Sequence, residues 1–538
     1  MVVSKEDYDD IQGDIWPGLS KQYEEFYFFT IEDAELFRPV LQKLADEVIT
    51  SATHAMAARY EIQMVKNAEA GKKAQEQPKK NTNTRGSGGG GLFGLVNDAF
   101  DTAGSVAKGG IDLAGNVANA AVDITIGVAR FPFDVIASLV PKDPKDIPRC
   151  KGDKTKLWNP TEDFNDDIYF KGMEQDLIGE GRDQAKHWEK EFLKTASAPS
   201  KTDGMVIVCG TKEEVQEKLA DLKHNYLGEN QGCRYVTSWK GQERPDKLRG
   251  HEHFGYLDGI SQPLLAGFDD DLLKAEGARK YATRPGIIIF GHDGEGDNEP
   301  GMQHPTWAKN GSYQVVRKLK QLVPEWNTYV EEEGAKHGFT PGQFGARLMG
   351  RWKSGAPVEL HPWEDHPEHA RFNDFDYDPK SGANCPFGSH MRKTKPRADV
   401  KNKDKFDIMR RGLPYGPEHD PATEPTTTQD RGLVFVCYQT TLQNGFSFLK
   451  NKWCNADNFP TKKEKYIGGL LPGQDAVIGQ SLPSTKQADD AVLTLTITDK
   501  QGEHKTLQFP SFVEAQGGDY FFTPSLTLLR TISGAAPN

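Results

Sequence analysis

Four short segments carry residues whose types and spacing could do acid–base, anion-binding or metal-ligating chemistry. The first is GHEHFGYLDGISQP, residues 250–263, in which Asp258 stands between Gly255 and Gly259. Glycine admits positive φ and close approach of another group, so a carboxylate set there can face a ligand instead of solvent. Asp-Gly is equally the signature of a hairpin turn. The second is NCPFGSHMRKTKPR, residues 384–397, with one histidine, His390, followed by Arg392, Lys393 and Arg397. A single histidine is more often structural than a ligand. Beside cations, however, it supplies what a haem needs: a neutral imidazole for iron and positive charge for two propionates. The third, DIMRRGLPYG (407–416), sets Arg410 and Arg411 before a Gly/Pro turn, as a solvated surface or an anion site. The fourth, GQDAVIG (473–479), holds Asp475 among small and apolar residues.

In this order the four segments resemble the dye-decolourising (DyP-type) haem peroxidase family. Its G-x-x-D-G signature stands here as GYLDG, its proximal-histidine segment as CPFGSHMRKTKPR and its distal-arginine segment as IMRRGLPYG. The opening DIQGDIWPGLSKQYEEFYFF and the stretch GLVFVCYQTTLQNGFSFLKNKWCNADNFP are similar to the long, fungal-type members. The resemblance covers residues 8–45 and roughly 165–530. It implies an α+β fold of two ferredoxin-like units with antiparallel sheets, in the dimeric α+β barrel superfamily. An N-terminal unit over 1–245 and a haem-binding unit over 246–538 are expected, with one haem b per chain.

The same match implies a role for each residue. His390 binds iron, and Asp475 accepts from its second ring nitrogen, fixing the tautomer and raising ligand basicity. Asp258 moves the proton of hydrogen peroxide. Arg410, rather than Arg411, stabilises the departing oxygen; permanently charged, it cannot carry the proton itself. Arg392 and His253 are expected near the propionates, and Gly259, Ser261, Leu433 and Phe435 around the pocket. Tyr415 and Trp453 are expected as surface electron-transfer rings for dyes too bulky to enter, with ordinary core aromatics as the alternative. A protonated Asp258 cannot accept a proton, while the resemblance implies acidic optima for dye oxidation. Peroxide activation and substrate oxidation are therefore expected to differ in pH profile.

The elements that must position these residues are partly legible. YEEFYFFTI (23–31), GMVIVCGT (204–211), RPGIIIFG (284–291), RGLVFVCYQTT (431–441) and DYFFTPSLTLL (519–529) read as strands. Asp33 is placed to cap a helix with Leu36, Phe37, Val40, Leu41 and Leu44 on one face, and 211–226 reads as another helix. Residues 55–150 have no counterpart in the family pattern. Within them, 71–90 read as a linker ending in GSGGGG, and the Ala/Gly-rich 92–140 as an amphipathic helical insertion. That insertion could pack on its own domain or another subunit, lie on a lipid surface, or be disordered.

Composition excludes other classes. The 538-residue chain carries a net charge of −12, against a nucleic-acid-binding face. Its six cysteines form no C-x-x-C pair and read as buried free thiols. The opening MVVSKEDYDDIQGDIW lacks the basic and apolar regions of a signal peptide, so an intracellular location is expected, with secretion not excluded. Hydrogen peroxide and aromatic or dye reductants are the expected partners, with a homo-oligomer possible. Two rival functions remain: a haem carrier or iron-releasing protein, which would not need both Asp258 and Arg410, and a non-catalytic lipid-surface or assembly protein built on 92–140.

Overall fold

The computed structural model describes residues 3–59, 123–128, 167–178, 183–193, 202–274, 282–296, 304–480 and 492–532. Its framework is one antiparallel sheet. The strands are β1 (Tyr23–Ile31), β2 (Asp123–Val128), β3 (Gly204–Gly210), β4 (Cys233–Gln242), β5 (Ser312–Gln321), β6 (Met409–Arg410), β7 (Leu413–Tyr415), β8 (Gly432–Gln439) and β9 (Val513–Thr523). Their order is β4-β1-β3-β2-β9-β5-β8-β6, with β7 also pairing with β8. The first four strands and the last five each repeat the ferredoxin-like order, in which the last strand flanks the first and the third lies next to the second. The first unit carries helices α1 (Ala34–Lys43) and α2 (Lys212–Asn225), and the second carries α3 (Val323–Lys336) after β5.

The two units share their sheet edges. At one seam β2 meets β9, and the buried Gln12 side chain donates to the carbonyls of Ile126 (3.1 Å) and Pro524 (2.8 Å), one on either side. At the other seam a Cβ on Gly241 of β4 would lie 3.2 Å from the Cβ of Leu413 in β7. The sheet thus curls until its ends meet, which removes exposed edges. β1 is buried on both faces over Tyr23–Phe29, so YEEFYFF lacks the alternation of a half-exposed strand. The Phe28 ring, fully buried, meets Phe192 and Trp239 edge-on.

Asp33 does cap α1, accepting from the N–H groups of Glu35 (3.0 Å) and Leu36 (3.1 Å), and Phe37, Val40 and Leu41 face the core. Thr211 and Glu214 form a capping box that starts α2.

Three expectations need correction. RPGIIIFG is a short 3-10 turn, Pro285–Ile287, followed by turns; Ile287, Ile288, Ile289 and Phe290 are buried, and a short buried apolar run reads alike in either geometry. In DYFFTPSLTLL the strand ends at Thr523, and Leu526–Ile532 is a helix. Asp123–Val128, expected within a helical insertion, is strand β2, where β-branched Ile124, Thr125 and Ile126 fit a fully buried pleat. The remainder of 92–140, with the oligomer and lipid-surface readings placed on it, lies outside the described residues. Among the described residues no helix is long and apolar enough to cross a membrane. Cys209, Cys233, Cys385, Cys437 and Cys454 are buried free thiols, as expected; Cys150 lies outside the described residues.

Candidate active site

The second unit encloses a cavity with about 1720 Å³ of empty space, part of it open to solvent. Asp258, Ser261, His390, Arg410, Leu433, Phe435, Val477 and Ile478 all line it, bringing together all four sequence segments. Asp475, of the fourth, stands directly behind His390.

Asp258 is presented by a loop folded back on itself. Gly250, Gly255 and Gly259 all take positive φ, and Asp258 N–H donates to Gly250 O (2.9 Å). The half-buried Glu252 carboxylate accepts the N–H groups of Phe254 (2.8 Å) and Tyr256 (2.7 Å), tightening the turn. The glycines therefore serve a turn and a presented carboxylate at once. Asp258 Oδ1 accepts from Arg410 Nη1 at 2.6 Å and from Gly259 N–H at 2.6 Å. Forty-one per cent of the Asp258 side chain is still reached by water, through the cavity. Burial opposes its charge, but Arg410 and Gly259 outweigh that and hold the carboxyl below its ordinary value.

Arg410 lies in β6, paired with Cys437 of β8. Successive side chains of an extended strand point to opposite faces. Arg410 accordingly enters the cavity, while Arg411 turns to the carbonyls of Asp14, Ile15 and Pro17. Gln262, which sequence reasoning missed, ties the two segments: its amide donates to Arg410 O (2.9 Å) and accepts from Arg410 N–H (3.2 Å). Its place inside GISQP was the only signal.

His390 opens a short helix, His390–Thr394. Its Nδ1 lies 2.9 Å from Asp475 Oδ2. The other Asp475 oxygen accepts from Val477 N–H (2.8 Å) and Ile478 N–H (2.9 Å), and the carboxylate is fully buried. Burial disfavours charge on both groups, yet each outweighs it for the other: the imidazole is raised and the carboxyl lowered from their ordinary values.

Of the basic run after His390, Lys395 lines the cavity, whereas Arg392, Lys393 and Arg397 do not. Arg392 is wholly buried against Asp399 and the carbonyls of Asp378, Ser381 and Cys385. Lys393 donates to Trp453 O (3.2 Å) and Ala456 O (2.6 Å). Two and three positions along a helical turn from His390, both must point elsewhere. Arg397 comes closer: it shares the Asn373 Oδ1 acceptor with Ser261 and Arg351, both of which line the cavity. His253 is buried, its Nε2 bonded to Tyr415 O (2.8 Å), and burial pushes its imidazole down to about 4. It is absent from the cavity wall. Gly259 supplies its N–H to Asp258 rather than a wall. Tyr415 and Trp453 are buried, so neither is a surface ring. The Tyr415 hydroxyl lies 3.0 Å from Asp430 Oδ1 and 2.9 Å from Gln516 Oε1, sharing its one proton between them, and Trp453 stacks on Phe459 at 4.9 Å.

The donor set fits a haem. One imidazole has its Nδ1 engaged by a buried carboxylate, leaving Nε2 as the ligating nitrogen. The charged wall groups besides His390 are Arg317, Arg351, Lys395, Arg410 and Lys450 with Glu252, Asp258 and Asp407. Arg317 and Lys450 pair with Asp183, Lys395 with Asp407 and Arg410 with Asp258.

Comparison with known proteins agrees with this geometry. A family model described as "Dyp-type peroxidase, C-terminal" matches residues 292–470, and one described as "DyP dimeric alpha+beta barrel domain" matches residues 10–84. A dye-decolorizing peroxidase of Mycena epipterygia is 30% identical over 98% of this chain and 87% of its own. A solved ancestral D-type dye-decolorizing peroxidase is 30% identical with a TM-score of 0.70, covering 100% of both chains. A dye-decolorizing peroxidase solved in complex with 2,6-dimethoxyphenol is 29% identical, with a TM-score of 0.69 over 98% of this chain and 99% of that one.

Proposed function

Because the chain belongs to the dye-decolourising (DyP-type) peroxidase family, an enzyme family acting on peroxide and organic reductants, we propose how its own residues divide that work. One observation carries the reading: Asp258 with Arg410, and His390 with Asp475, open on a single cavity. His390 would hold haem b through Nε2, one per chain, with Arg351 the proposed propionate partner on the cavity wall. When bound, the haem supplies the redox-active iron that passes electrons between organic donors and hydrogen peroxide.

Asp258 takes the proton from one peroxide oxygen and delivers it to the other as the O–O bond breaks. Its lowered pKa keeps it ionised, as an acceptor must be. Arg410 stabilises the negative charge that builds on the departing oxygen. It also holds the Asp258 carboxylate in place, and Gln262 holds Arg410. Asp475 fixes the His390 tautomer by accepting from Nδ1 and strengthens it as a donor. Leu433 and Phe435 keep the peroxide pocket apolar.

Phenols and dyes are the proposed reductants, on the strength of the family and of the relative complexed with 2,6-dimethoxyphenol. Of the two rings, Trp453 is the better placed for electron transfer. It meets Phe406 edge-on at 5.3 Å, and Phe406 lines the cavity.

The test is peroxide-dependent oxidation of 2,6-dimethoxyphenol by haem-loaded wild type and Asp258→Asn. A fall of about 10²–10⁴-fold in kcat/KM for peroxide is expected. An unchanged kcat/KM would remove Asp258 from the reaction.

A further inference from the structure

Away from the cavity, the loop after Arg351 reads His361-Pro-Trp-Glu-Asp-His366-Pro-Glu-His369. Its three imidazoles cluster. His361 Nε2 lies 2.7 Å from His369 Nδ1. The His366 ring stacks on His361 with centroids 4.1 Å apart, and the His361 and His369 centroids are 4.8 Å apart. Glu368 and Glu364 flank His366, at 2.7 Å from its Nδ1 and 3.5 Å from its Nε2.

A hydrogen bond between two ring nitrogens requires one to donate and one to accept, so the pair is well served by neutral rings. Neutral imidazole is the form that ligates metals. The backbone beneath is anchored. Trp352 Nε1 donates to His361 O (2.7 Å), His369 N–H donates to His366 O (2.8 Å), and Pro362 and Pro367 stiffen the turns.

Among the described residues no three ligating groups already converge on one point. The gap is small. Two nitrogens bound at about 2.0–2.1 Å to a tetrahedral ion stand about 3.3 Å apart, so the His361–His369 pair need open by only about half an ångström. The stacked His366 is the adjacent third donor.

We propose that His361, His366 and His369 form a surface site for a late first-row divalent cation, Zn2+ or Cu2+, with water as the fourth ligand. Three imidazoles suit these ions and not Ca2+ or Mg2+, which take oxygen ligands. The site owes nothing to the haem cavity, so it stands or falls apart from the peroxidase reading.

The test is calorimetric titration of ZnCl2 into the full-length, haem-loaded protein after chelator treatment, for wild type, His366→Ala and the double variant His361→Ala/His369→Ala. Expected are one Zn2+ per chain for wild type, binding at least about tenfold weaker for His366→Ala, and none for the double variant. The haem absorption band should be the same in all three, which shows the variants folded. No Zn2+ uptake by wild type, or uptake that survives the double substitution, overturns the proposal. Unchanged affinity in His366→Ala overturns the three-histidine assignment.

Discussion

Two carboxylates serve this cavity, and they are held in opposite ways. Asp475 is fully buried, its two oxygens taken by His390 and by two backbone N–H groups. Asp258 has an open face: its donors Arg410 and Gly259 reach the same oxygen, Oδ1. Its side chain is 41% accessible, into the cavity. A group that must orient another is best saturated and immobile. A group that must exchange a proton needs a lone pair facing the reactant. The same residue type thus takes two roles because the two surroundings leave it different freedom.

The contrast predicts a ranking of effects. Asp258→Asn keeps the shape and loses the base, so the peroxide reaction should slow by about 10²–10⁴-fold in rapid mixing, with haem still bound. Arg410→Leu should slow the same reaction by about 10²–10³-fold. It also removes the charge that lowers Asp258, so the acidic limb of the peroxide-reaction profile should move to higher pH. A limb that stays in place would mean another group controls it. In wild type that limb should lie below the ordinary carboxylate range, because the folded-state value is lowered and the base is lost only as pH falls through it.

Asp475→Asn should weaken haem retention or activity by about 10–100-fold, and lower the donor strength of His390, read as a shift in the iron reduction potential. If Asp475→Asn and Asp258→Asn affected the peroxide step alike, the two-role distinction would fail. The smallest effect concerns His253, which serves neither pair. Its folded-state value is depressed to about 4. The neutral buried ring therefore contributes stability above the unfolded value, and the contribution fades as pH falls from about 6.5 towards 4. Chemical denaturation across that window should show wild type losing about 2–3 kcal/mol more than His253→Gln.

Much of this arrangement was legible in the sequence because it rests on local signals. GYLDG, the histidine of CPFGSH and the first arginine of IMRRG each sit in a short segment whose glycines or strand alternation fix their direction. Less legible was anything settled by tertiary direction. Arg392 and Lys393 look like propionate partners in one dimension, yet the helical turn carries them behind His390, where carbonyls and Asp399 take them up. Gln12 and Gln262 act across 114 and 148 residues of chain, and nothing local marks them. Strand β2 was hidden in an Ala/Gly-rich stretch, because a buried strand loses the alternation that would betray it. The second strand of the ferredoxin-like order had to come from somewhere between α1 and β3, and that topological requirement was the signal available.

The central claim is that His390 holds a haem at a cavity where peroxide meets Asp258. The most direct test is the absorption spectrum of haem-supplied wild type and His390→Ala, before and after hydrogen peroxide. The account predicts a Soret band in wild type that changes on adding peroxide, and loss or displacement of that band in His390→Ala. A variant with the wild-type spectrum and the wild-type response to peroxide would contradict it.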